Sequence, residues 1–132
     1  LSRNGSQCTL IFGARSEDEF VGLDYIKKVN IETFFCTDDG SFGKQCLVTD
    51  ILSELNIDIF NSVFVCGPVP MLKAVKKILE EKKTEGKNIF FSMEERMGCG
   101  MGICFSCAVR TKRGMKLCCK DGPIFALDDI LF

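Results

Sequence analysis

Apolar residues fall in short runs separated by polar, glycine-rich turns, and the run lengths predict strands alternating with helices. Cys8 to Phe12 (CTLIF) reads as a buried strand, ended by Gly13-Ala14-Arg15-Ser16 ahead of the acid-rich helix start Glu17-Asp18-Glu19. That helix is expected to run to Val29. A second strand spans Ile31 to Phe35 and stops at the turn formers Thr37-Asp38-Asp39-Gly40-Ser41. Thr49 is placed to cap a short helix through Leu55, and Ser62 to Cys66 forms a third strand. After Gly67-Pro68-Val69-Pro70, a helix from Met71 to Lys83 sets Leu72, Val75, Ile78 and Leu79 on one face, and Asn88 to Ser92 is a fourth strand. The charged run from residue 80 to 87 reads as a solvated helix end.

Strands and helices alternating at these lengths imply right-handed crossovers, hence an α/β fold with a parallel, doubly wound sheet. Beyond Met93 the pattern changes. Glycines and cysteines replace periodicity, and only Ala108 to Thr111 and Met115 to Leu117 look extended, joined by Lys112-Arg113-Gly114. Residues 1–92 are therefore read as one α/β domain and 93–132 as a small appendage packed directly on it.

Composition narrows the function. The 132 residues are 46% hydrophobic, enough for a globular core, and 17 basic against 18 acidic residues leave no electrostatic footprint for nucleic acid or an anionic membrane. No apolar run reaches the length of a membrane span, and the first residues lack a secretory signal pattern, so the expected compartment is the cytoplasm. Histidine is absent, which removes Rieske-type ligation, Cys/His zinc fingers and imidazole-dependent triads. Nine cysteines, odd in number and concentrated in the last third, argue for a metal and against a disulfide framework.

Cys99-x4-Cys104-x2-Cys107 has the plant-type ferredoxin spacing, and a later cysteine, Cys118 or Cys119, must supply the fourth thiolate of a [2Fe–2S] cluster. Gly98, Gly100 and Gly102 let the backbone bend inward and offer N–H groups to the sulfurs. The competing reading is a structural zinc held by Cys104, Cys107, Cys118 and Cys119, which leaves Cys99 unexplained. Cys8, Cys36 and Cys46 fit ordinary packing of free thiols.

Cys66-Gly67-Pro68-Val69-Pro70-Met71, then Ser92-Met93-Glu94-Glu95-Arg96-Met97, the cysteine loop, and Cys119-Lys120-Asp121-Gly122-Pro123 occur together in one chain. In this combination the sequence resembles the electron transfer subunits of dihydroorotate dehydrogenase B, within the ferredoxin–NADP reductase superfamily, over essentially its whole length. The resemblance implies Cys99, Cys104, Cys107 and Cys119 as cluster ligands, because the family's last cysteine directly precedes x-D-G-P; Cys118 becomes a neighbour. It also implies Cys66, Gly67 and Pro68 at the nicotinamide end of a bound NAD, with Gly13, Arg15 and Asp39 towards adenosine. Each has a plainer reading as turn residue, exposed charge or loop punctuation.

The resemblance further implies a component of an oxidoreductase complex, relaying electrons between NAD, FAD, the cluster and an FMN-containing catalytic partner, dihydroorotate dehydrogenase, in pyrimidine biosynthesis. The family's flavin domain is not in this chain, nor are the first strand and glycine-rich turn that open the nucleotide domain, so a fragment is expected. NAD reduction by this piece alone is not expected. The alternatives are an electron-transfer subunit of a hydrogenase or sulfite reductase, and a non-enzymatic, zinc-stabilised binding module.

Overall fold

The computed structural model describes residues 7–29, 31–84 and 86–132. Residue 85, inside the charged run, lies outside that set. By compactness the chain divides into Leu1–Leu55 and Asn56–Phe132.

The first unit is a parallel sheet with two short α-helices among its described residues. Strand β1 (Thr9–Ala14) pairs with β2 (Glu32–Thr37) in the register Gly13↔Cys36, and β2 pairs with the two-residue β3 (Lys44–Gln45). Phe12, Phe20, Phe35 and Phe42 meet at centroid distances of 4.8 to 6.3 Å, mostly edge to face, and form the apolar centre of this unit. That cluster explains a departure from the predicted helix between Glu17 and Val29. Only a 3-10 turn (Glu17–Glu19) and α1 (Leu23–Lys28) are helical, because Phe20 leaves the helical path to join the rings and Gly22 turns the chain at φ 82°. Helix α2 (Val48–Glu54) begins earlier than predicted: Leu47 precedes it, and the Asp50 carboxylate accepts from Leu47 N–H at 2.9 Å, so Thr49 is not the cap. The start of α2 needs Gly13, since a Cβ there would fall 2.4 Å from Val48 Cγ1.

The second unit holds β4 (Ser62–Cys66), α3 (Val69–Glu81) and β5 (Asn88–Ser92), with β4 and β5 parallel in the register Phe64↔Phe90. Helix α3 buries Leu72, Val75 and Leu79, as its spacing predicts, while Ile89 and Phe91 are the buried residues of β5. Pro68 and Pro70 suit its first turn, where the missing N–H groups have no helical partner in any case. The short strand β8 (Ile124–Ala126), not foreseen from sequence, runs antiparallel beside β5. Between them, β6 (Ala108–Thr111) and β7 (Gly114–Leu117) form the predicted hairpin. The C-terminal segment is tied in place by Lys76, whose Nζ donates to Ile130 O at 2.6 Å, and by Leu131 N–H donating to Arg110 O at 3.0 Å.

The architecture is mixed α/β with parallel strands. Those strands lie in two sheets, and β1 and β4 are each paired on one side only among the described residues. No helix among them is long and apolar enough to cross a membrane.

Candidate metal centre

Residues 93 to 107 connect β5 to β6 without regular structure, and from Gly98 onward the backbone turns its amides inward upon sulfur. Gly100 and Gly102 take φ of 69° and 83°, a region that side-chain-bearing residues avoid. The N–H groups of Ile103 and Cys104 donate to Cys99 Sγ at 3.4 Å, and that of Met101 at 3.5 Å. These amides, that of Cys104 foremost, hold the Cys99 thiol down to about 6. Cys99 N–H in turn donates to Cys104 Sγ at 3.4 Å. Cys104 also lies 3.2 Å from the Ser106 hydroxyl, the main cause of its lowered pKa, and Ser106 Oγ accepts from Gly98 N–H at 2.8 Å.

Cys107 and Cys119 make the other pair. Cys107 is 2% exposed, and Cys119 N–H donates to its sulfur at 3.5 Å. The neighbouring Cys107 side chain, followed by burial, raises the Cys119 pKa, while the Gly102 amide acts in the opposite sense. Gly102 lies against the turn that carries Cys119, since a Cβ there would fall 2.9 Å from Lys120 Cδ and 3.7 Å from Leu117 Cδ1, so the loop whose amides serve Cys99 borders the second pair. The turn from Leu117 to Asp121 sets the direction of Cys119: Asp121 N–H donates to Leu117 O at 2.7 Å, and the Asp121 carboxylate accepts from Leu117 N–H at 2.8 Å. Cys118, one residue earlier, is 1% exposed and pushed up to about 11, first by burial and then by Cys107.

Among the described residues no group of three or more Cys, Asp or Glu side chains is gathered closely enough for a single ion. A mononuclear structural zinc asks four ligands to converge, whereas a two-iron cluster asks two thiolates at each iron and amides turned on the sulfurs. Two neighbouring pairs in an amide cradle fit the second requirement.

The residues that the resemblance implies for nucleotide binding lie at the carboxyl ends of parallel strands, where doubly wound sheets take their ligands. Asp38 N–H donates to Ala14 O and Asp39 N–H to Arg15 O, both at 3.2 Å, so the loops after β1 and β2 are joined. Asp39 accepts from Ser41 N–H at 2.9 Å and Ser41 Oγ at 2.6 Å, which lowers its pKa. Arg15 is 82% exposed in its side chain and pairs with Glu19 at 3.3 Å. Gly13 has the packing role described above. In the second unit, Cys66, Gly67 and Pro68 join β4 to α3, and the exposed Cys66 thiol donates to Glu94 Oε1 at 3.7 Å.

The family described as the iron–sulfur cluster binding domain of dihydroorotate dehydrogenase B matches residues 94–131. Over 128 residues the chain is 37% identical to a homolog of the dihydroorotate dehydrogenase B (NAD(+)) electron transfer subunit from Aquifex aeolicus, covering 96% of this chain and 48% of that protein. A probable subunit of the same description from Thermococcus kodakarensis is 44% identical over 119 residues, covering 90% and 46%. The chain belongs to the dihydroorotate dehydrogenase B electron transfer subunit family. It spans about half the length of the curated relatives it matches. A solved structure described as an NADH-dependent reduced ferredoxin-NADP oxidoreductase, from work on flavin-based electron bifurcation, superimposes with a TM-score of 0.78 at 27% identity, covering 98% of this chain and 46% of that one.

Within this dihydroorotate dehydrogenase B family chain, the cysteine spacing pointed to the loop. It did not point to Ser106, whose only signal is a hydroxyl residue in the two-residue spacer before Cys107. Glu94 was visible as part of a motif, without a side-chain partner to give it meaning.

Proposed function

We propose that this chain is the nucleotide-binding and cluster-binding portion of an electron transfer subunit that relays electrons between NAD(H)/FAD and an FMN-containing dihydroorotate dehydrogenase in pyrimidine biosynthesis. Residues 1–92 are the partial NAD-binding domain and 93–132 the cluster domain, and the assembly works in the cytoplasm. The observation that carries the reading is the pairing of Cys99 with Cys104 and Cys107 with Cys119, with Gly102 of the cysteine loop packed against the turn that holds Cys119. These four thiolates would hold the [2Fe–2S] cluster, and Cys118 packs beside them.

When bound, the cluster supplies one-electron chemistry, the counterpart to a hydride carrier's two electrons. The protein's own part is to supply thiolates, turn amides on them and shape the approach of a partner. Met97, Met101, Ile103 and Phe105 are exposed around the cysteine loop. Apolar side chains grouped at such a place support a protein–protein contact through which an electron passes. Cluster chemistry needs no acid or base from the chain, in keeping with the absence of histidine. FAD belongs to the part of the subunit not in this chain. Anaerobic co-purification of the full-length subunit from its native cell tests the reading: an FMN-containing dihydroorotate dehydrogenase should accompany it, and a hydrogenase or sulfite reductase in its place would refute it.

Dinucleotide choice follows from the joined loops. Asp39, held ionised by Ser41, stands beside Arg15, whose charge is engaged with Glu19. A 2′-phosphate would meet the acidic pair Asp38 and Asp39, so the full-length subunit should bind NAD more tightly than NADP in calorimetric titration. Tighter NADP binding would show that Arg15 reads the ribose.

A further inference from the structure

We propose that Ser106 sets the reduction potential of the cluster by donating its hydroxyl hydrogen to the Cys104 sulfur. The inference rests on the cluster reading above and adds a residue that is no ligand. A serine hydroxyl has one hydrogen and two lone pairs. Gly98 N–H donates to Ser106 Oγ at 2.8 Å and so occupies a lone pair. Cys104 Sγ lies 3.2 Å from the same oxygen, and a metal-bound cysteine is a thiolate with no hydrogen to give. The Ser106 hydrogen is then the one that fills this contact, and it points at sulfur.

The backbone leaves room for the arrangement. A Cβ on Gly98 would stand 3.1 Å from both Cys104 Sγ and Ser106 Oγ, tighter than a relaxed contact. Glycine therefore lets its amide and the sulfur approach the same hydroxyl. The donors to Cys99 and Cys107 are main-chain amides, which survive any side-chain substitution: Met101, Ile103 and Cys104 at 3.4 to 3.5 Å for Cys99, and Cys119 at 3.5 Å for Cys107. Ser106 is thus the donor that a side-chain substitution can remove without removing a ligand, at the loss of the acceptor for Gly98 N–H.

One-electron reduction adds negative charge to the iron–sulfur unit, and a donor to a ligand sulfur stabilises the reduced form more than the oxidised one. Removing the hydroxyl should therefore make the potential more negative. Full-length chains carrying Ser106→Ala, Ser106→Thr and Ser106→Val, loaded anaerobically with iron and sulfide, are titrated with redox dyes while the visible spectrum is followed. Threonine keeps the hydroxyl and valine has nearly the same shape without it, so their difference reports the hydroxyl, and iron content reads whether the loss of the acceptor for Gly98 N–H has disturbed the loop.

We expect alanine and valine to shift the one-electron equilibrium about tenfold towards the oxidised form, about 59 mV more negative. Threonine should stay with the parent, and iron content should be the same in all. Equal potentials in threonine and valine, with full iron content, would overturn the inference and leave the cluster reading intact. Loss of iron from alanine and valine but not threonine would also overturn it, because the hydroxyl would then be holding the loop together. Failure of the parent chain itself to take up iron and sulfide would overturn both readings.

Discussion

Replacing Cys119 with serine should abolish the visible iron–sulfur spectrum or shift it and lower iron content several-fold, while replacing Cys118 with serine should leave both nearly unchanged. The two thiols are adjacent in sequence but have different surroundings. Cys119 N–H donates to Cys107 Sγ at 3.5 Å, and the turn closed by Asp121 fixes the direction of the residue. Cys118 is 1% exposed and held as a neutral thiol by burial. A serine at position 119 offers iron an oxygen that is a poor substitute for thiolate. At position 118 it adds a small hydroxyl to an apolar site, costing about 1 kcal/mol or a little more in stability and leaving coordination alone. Iron analysis and absorption spectra of anaerobically prepared variants check this. The opposite outcome would move the fourth ligand to Cys118.

In the metal-free folded chain at pH 8, alkylation of Cys36 and Cys118 should be about a hundredfold slower than alkylation of the same residues in denaturant. Both are pushed from 9.0 to about 11, Cys36 by burial and then by Cys46, Cys118 by burial and then by Cys107. Only the thiolate reacts, so two pH units of displacement remove about 99% of the reactive form. The labelling rate of each should keep rising about tenfold per pH unit beyond pH 9 and level off near 11. The sign for stability follows: the folded chain keeps these protons where the unfolded chain loses them. This contribution is therefore fully present below pH 9 and is lost as pH rises through 11. Mass spectrometry of timed alkylation reads both residues, and a plateau near pH 9 would show that the folded chain leaves their sulfurs in water.

Strands Ser62–Cys66, Asn88–Ser92 and Ala108–Thr111 lie where the apolar runs put them, because each is a short run bounded by turn formers or a change of composition. Helix α3 is legible for the same reason, its buried residues spaced three and four apart. The strand Ile124–Ala126 was not legible: three residues carry no periodicity, and its stability comes from Phe90, Phe91 and Ser92, far away in sequence. The stretch from Glu17 to Val29 misled because its charge pattern is helical, whereas Phe20 belongs to a tertiary aromatic cluster that local sequence does not display. At the metal centre, cysteine spacing marked the loop, since ligand spacing is a local property. The division of amides between Cys99 and Cys119, and the hydroxyl on Cys104, depend on where each N–H and O–H points, which residue identity alone does not convey.

The central claim is that the four thiolates hold two irons rather than one zinc, and the direct measurement is metal and acid-labile sulfide analysis of the chain purified without oxygen, followed by electron paramagnetic resonance after reduction. About two iron and two sulfide per chain and a single unpaired electron in the reduced protein are expected. One zinc per chain with no sulfide, in a colourless protein, would contradict that claim.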